Sequence, residues 1–498
     1  MVRENLDRWL QENEFTLDDI TFPPFKIPDF LWKDVDLGTQ LTKRIKLKIP
    51  LVSSPMDTVT GSDMAILVAL MGGIGVLHYN YPTIDDQMKE VERVRRFEAG
   101  FVKKPIILRM DSTIGTVFEQ AEANGFFSYP VTQDGTKETI LMGMVTHRDV
   151  KYKENLDQSV LEIMTPREKL IVATLEQTDN LTDIRAANKI IRENALDTLP
   201  IVDCDGKIVA LVTDSDLKKN EDFKLATKDD NKQLKVLVAV ESFISAAKER
   251  IMRAKEAEVS GIVVDVRNVF KENLEIAKFV KKNAPELDVI LGNVVEADVI
   301  RDIMVEVGEC VDCFRVGIGT GEVCSTTESL GIGRALGSAL RDTTGALSQY
   351  KSKYGHIGLI ADGGIKSPAH IIGSLILRAD AVMMGTVLGA FEESLASRRY
   401  DEEKGMLVKR IRGMGSASAI RERAGSHRYG LARNPQEERF PEGIEKDIAY
   451  RGSGQPVIER LFNGVRQAMN GLGHKDIIEL QKEGRIRFYP RAASKGVL

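Results

Sequence analysis

Cysteine is scarce in this chain, at four of 498 residues. That excludes a disulfide framework and fits a reducing compartment. Cys310 and Cys313 form a CxxC, but no second pair and no histidine stand near it, so it implies neither a zinc site nor a redox pair. An excess of positive charge is also missing. With 69 Lys+Arg against 74 Asp+Glu the net charge is -5, which excludes broad nucleic-acid binding through phosphates while leaving room for a local basic pocket. Long apolar runs are absent too. The longest stretch without formal charge, Met64 to Ile84, carries Gly72, Gly73, Gly75, His78, Asn80 and Pro82, a composition that suits a buried helix and strand rather than a membrane span. The first residues, MVRENLDRWLQENEF, have no signal-type apolar core. The expectation is a soluble cytoplasmic protein with no membrane and no specific nucleic-acid partner.

What is present is ordinary globular material, 43% hydrophobic and 29% charged, long enough for two or three domains. Residues 1 to about 50 read as an irregular lead-in. LVSSPMDTVT (Leu51 to Thr60) then suggests a strand end carrying hydroxyls and a carboxylate. MAILVALMGGIGVLHYN (Met64 to Asn80) reads as a buried helix, a glycine turn and a short strand.

Further on, an internal repeat appears. FSYPVTQDG followed by LMGMVTHRDV is echoed about 70 residues later by DTLPIVDCDG followed by IVALVTDSDL. Each copy predicts a strand, an Asp-Gly hairpin turn, a second strand and a Thr-x-x-Asp. The repeat resembles the paired cystathionine-β-synthase-type regulatory module. That resemblance implies an adenine- or guanine-nucleotide site at Thr146, Asp149, Thr213 and Asp216; the same residues could instead cap helices.

After Lys232 apolar strand-like runs alternate with amphipathic helices: LKVLVAV, GIVVDV, DVILGNVV, CFRVGIG, IGLIADGG and ADAVMMG. With the two earlier strands the count reaches about eight, which predicts an α/β fold of the (β/α)8 barrel class with the repeat inserted in it. The expected boundaries are 1–100 for the first part of the barrel, 101–225 for the insertion and 226–498 for the rest. Several strands end in Ser54, Asp265, Asn293, Asp362 or Gly385-Thr386, and strand C-termini of a barrel build its active site. The loop GIGTGEVCSTT places a single thiol, Cys324, on a glycine-rich turn among them, a candidate nucleophile. A charged stretch at about 417–452, poor in apolar periodicity, reads as a mobile flap.

SSPMDTVT, GGIGVLHYN, GNVV, GIGTGEVCSTT, ADGGI, ADAVMMGTVL, RGMGS, HRYG and PEGIEKDIAYRG occur in the order found in inosine monophosphate dehydrogenase. The chain resembles that family, whose sibling is guanosine monophosphate reductase. The resemblance implies NAD-dependent oxidation of inosine monophosphate to xanthosine monophosphate, with Cys324 as nucleophile and Thr326, Arg428 and Tyr429 serving hydrolysis. It implies a purine-nucleotide pocket of Ser54, Met56, Asp362, Gly364, Gly385, Thr386, Met414, Gly415 and Glu442. It places Asp265 and Asn293 on the NAD side, and a potassium ion on the backbone carbonyls of Gly319, Gly321 and Cys324. A homotetramer, or an octamer joined through the repeats, is the implied assembly.

Departures from the family stand at Glu322, where its loop has a phosphate-binding serine, and at Ile411, where it has a tyrosine. Asp265-Val266-Arg267-Asn268-Val269 also departs, and Lys366 or Arg267 could supply the missing charge. A carboxylate facing a phosphate would be repulsive. Two alternatives therefore stand beside the dehydrogenase. One is a reductase or paralogue acting on another purine-like nucleotide; the other is a non-catalytic nucleotide sensor.

Overall fold

Buried parallel strands read as nearly continuous apolar runs because both faces are covered. Eight such strands form one parallel sheet: β1 (Leu51–Ser53), β2 (Gly75–Leu77), β3 (Val236–Val240), β4 (Gly261–Asp265), β5 (Asp288–Val294), β6 (Cys313–Val316), β7 (Gly358–Asp362) and β8 (Ala381–Met384). Neighbours pair in sequence from β2 to β8, and β8 pairs with β1. A parallel bridge between Val52 and Ile74 joins β1 to the start of β2 and closes the ring. The fold is thus a (β/α)8 barrel. This computed structural model describes residues 14–97, 102, 105–124, 126–181, 184–213, 223–421 and 440–488. Arg428, Tyr429 and Asp216 lie outside them, as does half of the expected flap, residues 422–439. Among the described residues no helix is long and apolar enough to cross a membrane.

The chain divides into two compact units. The first comprises Met1–Val94, Leu225–Thr227 and Lys235–Leu498; the second comprises Arg95–Lys224 and Lys228–Leu234. In the barrel unit the lead-in has a specific job. A short hairpin pairs Thr39–Gln40 with Lys46–Leu47. Its Leu41, Ile45 and Leu47 are buried in one cluster with the barrel-lining Val52, Val76, Leu237, Val263, Ile290 and Ile360. Three apolar side chains so placed stop the N-terminal end of the barrel, the burial of each contributing about 1.5–3 kcal/mol. Outside the ring, helix α1 (Gln455–Leu472) starts with a proline in its first turn and ends at Gly473 in the left-handed conformation. It buries Ile458, Phe462, Val465, Met469 and Leu472, a 4-3-4-3 spacing that forms one stripe.

At the same N-terminal end three aspartates hold strand starts together. Asp288 takes the Arg44 guanidinium at 2.6 Å, Asp312 accepts from the Val289 amide at 2.9 Å, and Asp380 accepts from the Leu359 amide at 2.9 Å. Burial pushes the Asp380 carboxyl up to about 7, well above its ordinary 3.8. His356 Nε2 lies 4.0 Å away, and burial lowers the pKa of that imidazole, which disfavours an ion pair. A carboxyl whose pKa is raised on folding stabilises the fold most below its unfolded pKa, and that contribution is lost as pH rises through about 7. Asp380→Asn mimics the protonated form. Its stability relative to the parent is therefore expected to improve between pH ~5 and ~8, by up to a few kcal/mol. Urea unfolding at both pH values measures this, and an unchanged difference would refute it.

The second unit is built twice on one plan. Ser128–Thr132 pairs antiparallel with Leu141–Thr146, and Thr198–Val202 pairs with Ile208–Thr213. Both hairpins share the same alternation of buried and half-buried residues, and both shift register near the end of the first strand. Each copy follows an 11-residue helix, Ile114–Asn124 or Ile184–Asn194, and has its own apolar cluster. Ser128 and Thr198, equivalent positions of the repeat, meet through their hydroxyls at 3.1 Å.

Candidate active site

Side chains alternate along a strand, so positions two apart share a face. Val263, Cys313 and Ile360 point into the barrel core. The same parity carries Asp265, Arg315 and Asp362 inward at the C-terminal ends of β4, β6 and β7. There they meet. Arg315 is 2% exposed; its Nη2 lies 2.7 Å from Asp265 Oδ1 and its Nε 3.4 Å from Asp362 Oδ2. Asn293 would face outward by simple alternation. A register shift between Gly292 and Val294 turns it inward, as an extra residue in a strand does. Its Oδ1 accepts from Arg315 Nε at 2.6 Å and its Nδ2 donates to Asp362 Oδ2 at 3.0 Å. One arginine thus ties together the ends of four strands.

Above this floor lies a cleft lined by Ser54, Met56, Arg267, Gly319, Gly321, Cys324, Thr326, Met414, Gly415 and Glu442, with Asp265, Asn293 and Asp362 at its base. The space open to the centre of a water molecule is ≈ 120 Å³, room for several waters rather than one. The cysteine loop reaches this cleft through backbone that only glycine tolerates. Gly317 (φ 142) and Gly319 (φ 76) lie at positive φ. A Cβ on the first would overlap the Asp362 carbonyl oxygen, and on the second the Thr327 hydroxyl.

Beyond the glycines the loop is zipped to one later segment, which is itself zipped to another. Ile444 donates to the Val323 carbonyl at 3.0 Å, Ser325 to the Glu442 carbonyl at 2.9 Å, and Glu442 to the Gly415 carbonyl at 2.9 Å. Gly443 bridges Cys324 on one side and Ser416 on the other, so PEGI holds the cysteine loop and RGMGS in turn backs PEGI. Its Sγ lies 3.2 Å from Thr326 Oγ1. Glu442 is 8% exposed; Arg267 Nη1 holds its Oε1 at 2.7 Å, while Oε2 is buried without a hydrogen-bond partner. A buried carboxylate oxygen in that condition calls for a donor, and the cleft is where a ligand could bring one.

Of the remaining expected residues, Gly385 packs against Met56 and Ser54, so it stands behind the cleft wall. Thr386 opens the short helix that follows β8. Gly364 (φ 70) closes the β7 turn beside the Thr320 carbonyl. None of these three lines the cleft directly. Glu322 is not alone at the rim: Lys446 Nζ lies 3.3 Å and Lys366 Nζ 3.9 Å from its carboxylate. The trio carries net positive charge, so the repulsion expected from the isolated carboxylate is offset. Arg267 does not join it, being engaged with Glu442. Ile411 is fully buried among Val323, Ala396, Met56 and Ile448 and offers the cleft no polar group. Cys310 and Cys313 are buried free thiols, and burial raises both. In the second unit, Asp149 Oδ2 accepts from Thr146 N at 2.7 Å and Thr146 Oγ1 at 2.8 Å, a reciprocal helix cap. Thr213 ends its strand.

Sequence reasoning missed Arg315, which lies in the middle of the apolar CFRVGIG run. A charged residue flanked by Phe314 and Val316, two positions from an inward cysteine, was the available signal.

Comparison with known proteins gives concordant results. Residues 14–496 match a family model described as the IMP dehydrogenase / GMP reductase domain. The chain is 34% identical to the inosine-5'-monophosphate dehydrogenase of Schizosaccharomyces pombe, over 99% of this chain and 91% of that one. It is 36% identical to the Aquifex aeolicus protein of the same name, over 95% and 92%. Among solved structures, a GMP reductase from Trypanosoma brucei in complex with guanosine 5'-monophosphate superposes with a TM-score of 0.86 at 27% identity, covering 97% of both chains.

Proposed function

Since this chain belongs to the IMP dehydrogenase / GMP reductase family of oxidoreductases, we propose that it oxidises inosine 5'-monophosphate to xanthosine 5'-monophosphate with NAD+. The single observation that carries the reading is the Cys324 thiol, on a loop held by the 442–444 segment, beside Thr326 and opening on the cleft that Glu442 also lines. In this reading the Cys324 thiolate adds to carbon 2 of hypoxanthine. Loss of hydride from that carbon leaves a thioimidate on sulfur, and water then releases the product. Sulfur suits both addition and departure. The buried, unpartnered Oε2 of Glu442 accepts a ring N–H, and Met414 and Gly415 meet the base. Asp362 takes the ribose, since a carboxylate can accept from both hydroxyls of a diol. For the 5'-phosphate to meet Gly364, Gly385 and Thr386 it would have to reach beyond the described cleft lining, with Lys366 and Lys446 supplying charge in competition with Glu322. Ser54 and Met56 complete the pocket wall. Thr326 positions the water, and Arg428 with Tyr429 acts from the flap.

NAD+ would supply the hydride acceptor on the Asp265 and Asn293 side, where the polar atoms that Arg315 fixes are compatible with a polar cofactor end. A potassium ion also fits the loop. Among the described residues the Gly319 and Cys324 carbonyls accept no backbone hydrogen bond, while Gly321 accepts from Cys324 N at 3.0 Å. The repeated unit would be a paired regulatory module. A nucleotide ribose at Asp149 would have to displace its cap on Thr146.

The similarity to a GMP reductase over 97% of both chains favours a second reading, reductive deamination of guanosine monophosphate. Two assays separate them. NADH formation with inosine monophosphate and NAD+ is the expected result. NADPH oxidation with guanosine monophosphate and release of ammonia, without the first activity, would replace it with the reductase. Neither activity, with nucleotide bound only by the second unit, would leave the sensor.

A further inference from the structure

A second cluster of chemistry-bearing residues lies where helix α1 ends. Gly473 turns the chain in the left-handed conformation, and its missing Cβ lets Lys26 lie against it. The next residue, His474, is 0% exposed, and neither Nδ1 nor Nε2 has a hydrogen-bond partner. Its ring packs edge-on to Phe25 at 5.5 Å. Asp476 then caps the short helix α2 (Ile477–Glu483), accepting from the Glu479 amide at 2.7 Å. That helix puts Glu479 and Glu483, four residues apart, on one face. One ligand atom from each of His474, Glu479 and Glu483 lies within 4.8 Å of the others.

Lys26 already sits among these groups. Its Nζ is 2.8 Å from Glu479 Oε1 and also contacts Glu483 Oε2. An ammonium satisfies the two carboxylates and leaves the imidazole unused. A divalent ion would satisfy all three. We propose that His474, Glu479 and Glu483 bind one transition-metal ion of the zinc class, with Lys26 as its built-in competitor. An imidazole with two carboxylates is a suitable donor set, and a fourth position stays open to water. Tetrahedral ligands around zinc stand about 3.4 Å apart, so the two glutamates must close in. They can, because their side chains are 33% and 35% exposed. Lys26, at 32%, can swing into solvent. None of these residues belongs to the cleft around Cys324.

Titration calorimetry of the full chain with Zn2+ after chelator treatment tests this. The expected result is one equivalent whose affinity falls at least about tenfold in His474→Ala and rises in Lys26→Met, because the competitor is gone. No zinc equivalent sensitive to His474→Ala would overturn the proposal. Should His474→Ala fail to fold by circular dichroism, Lys26→Met decides alone, and an unchanged or weaker affinity overturns it.

Discussion

In Cys324→Ala, turnover of inosine monophosphate is expected to fall by at least about a thousandfold, while the nucleotide still binds within about threefold of the parent affinity. The split follows from position. The thiol touches Thr326 and opens on the cleft, whereas the loop backbone is held by Val323, Ser325 and the 442–444 segment, none of which needs the sulfur. Removing one atom therefore deletes the proposed nucleophile and keeps the pocket. Steady-state rates together with equilibrium binding of the nucleotide measure both halves. A variant with a tenth of the parent rate would sink covalent catalysis at this residue. Equal loss of binding and rate would mean that Cys324 shapes the pocket instead.

The second large effect lies beneath the cleft. Arg315→Met is expected to destabilise the barrel by about 3–5 kcal/mol, because it leaves the Asp265 carboxylate buried without its counter-charge. Asp362 and Asn293 lose their common anchor in the same step. Arg315→Lys keeps the charge but not the planar fork that reaches both partners, and should fall between. Adding Asp265→Asn to Arg315→Met should recover part of the loss, since the buried charge that Arg315 balanced is then gone. Urea unfolding of the three variants checks the ordering. A cost below about 1 kcal/mol for Arg315→Met would show that water or another group already compensates Asp265.

Much of this architecture could be read from residues alone, and the physical reason is periodicity. Apolar runs such as VLVAV and GIVVD announce buried parallel strands, and a polar residue that closes a run, as Asp265 does, marks the end that carries the cleft. The same reading fails where position depends on something other than local pattern. Asn293 faces inward only because the register of β5 slips beside it. Glu322 is uncomfortable until Lys446 arrives from 124 residues away, a meeting no local spacing encodes. Residues 37–47 lack a long periodic pattern because they form a plug. Such a plug needs only a few buried side chains.

The closure of the barrel also has a consequence in time. Val382 on β8 pairs with Leu51 on β1, a contact between residues about 330 apart, and loop closure over such a distance carries a large entropic cost. β2, for its part, pairs with β3 across the whole second unit. During synthesis β2 therefore waits for its partner until about half of the chain has emerged, and β1 until about three-quarters has. Folding of the intervening unit on its own local hairpins brings the ends of that interval under control early. The pairing of β8 with β1, the most non-local of the sheet, is therefore expected to form last.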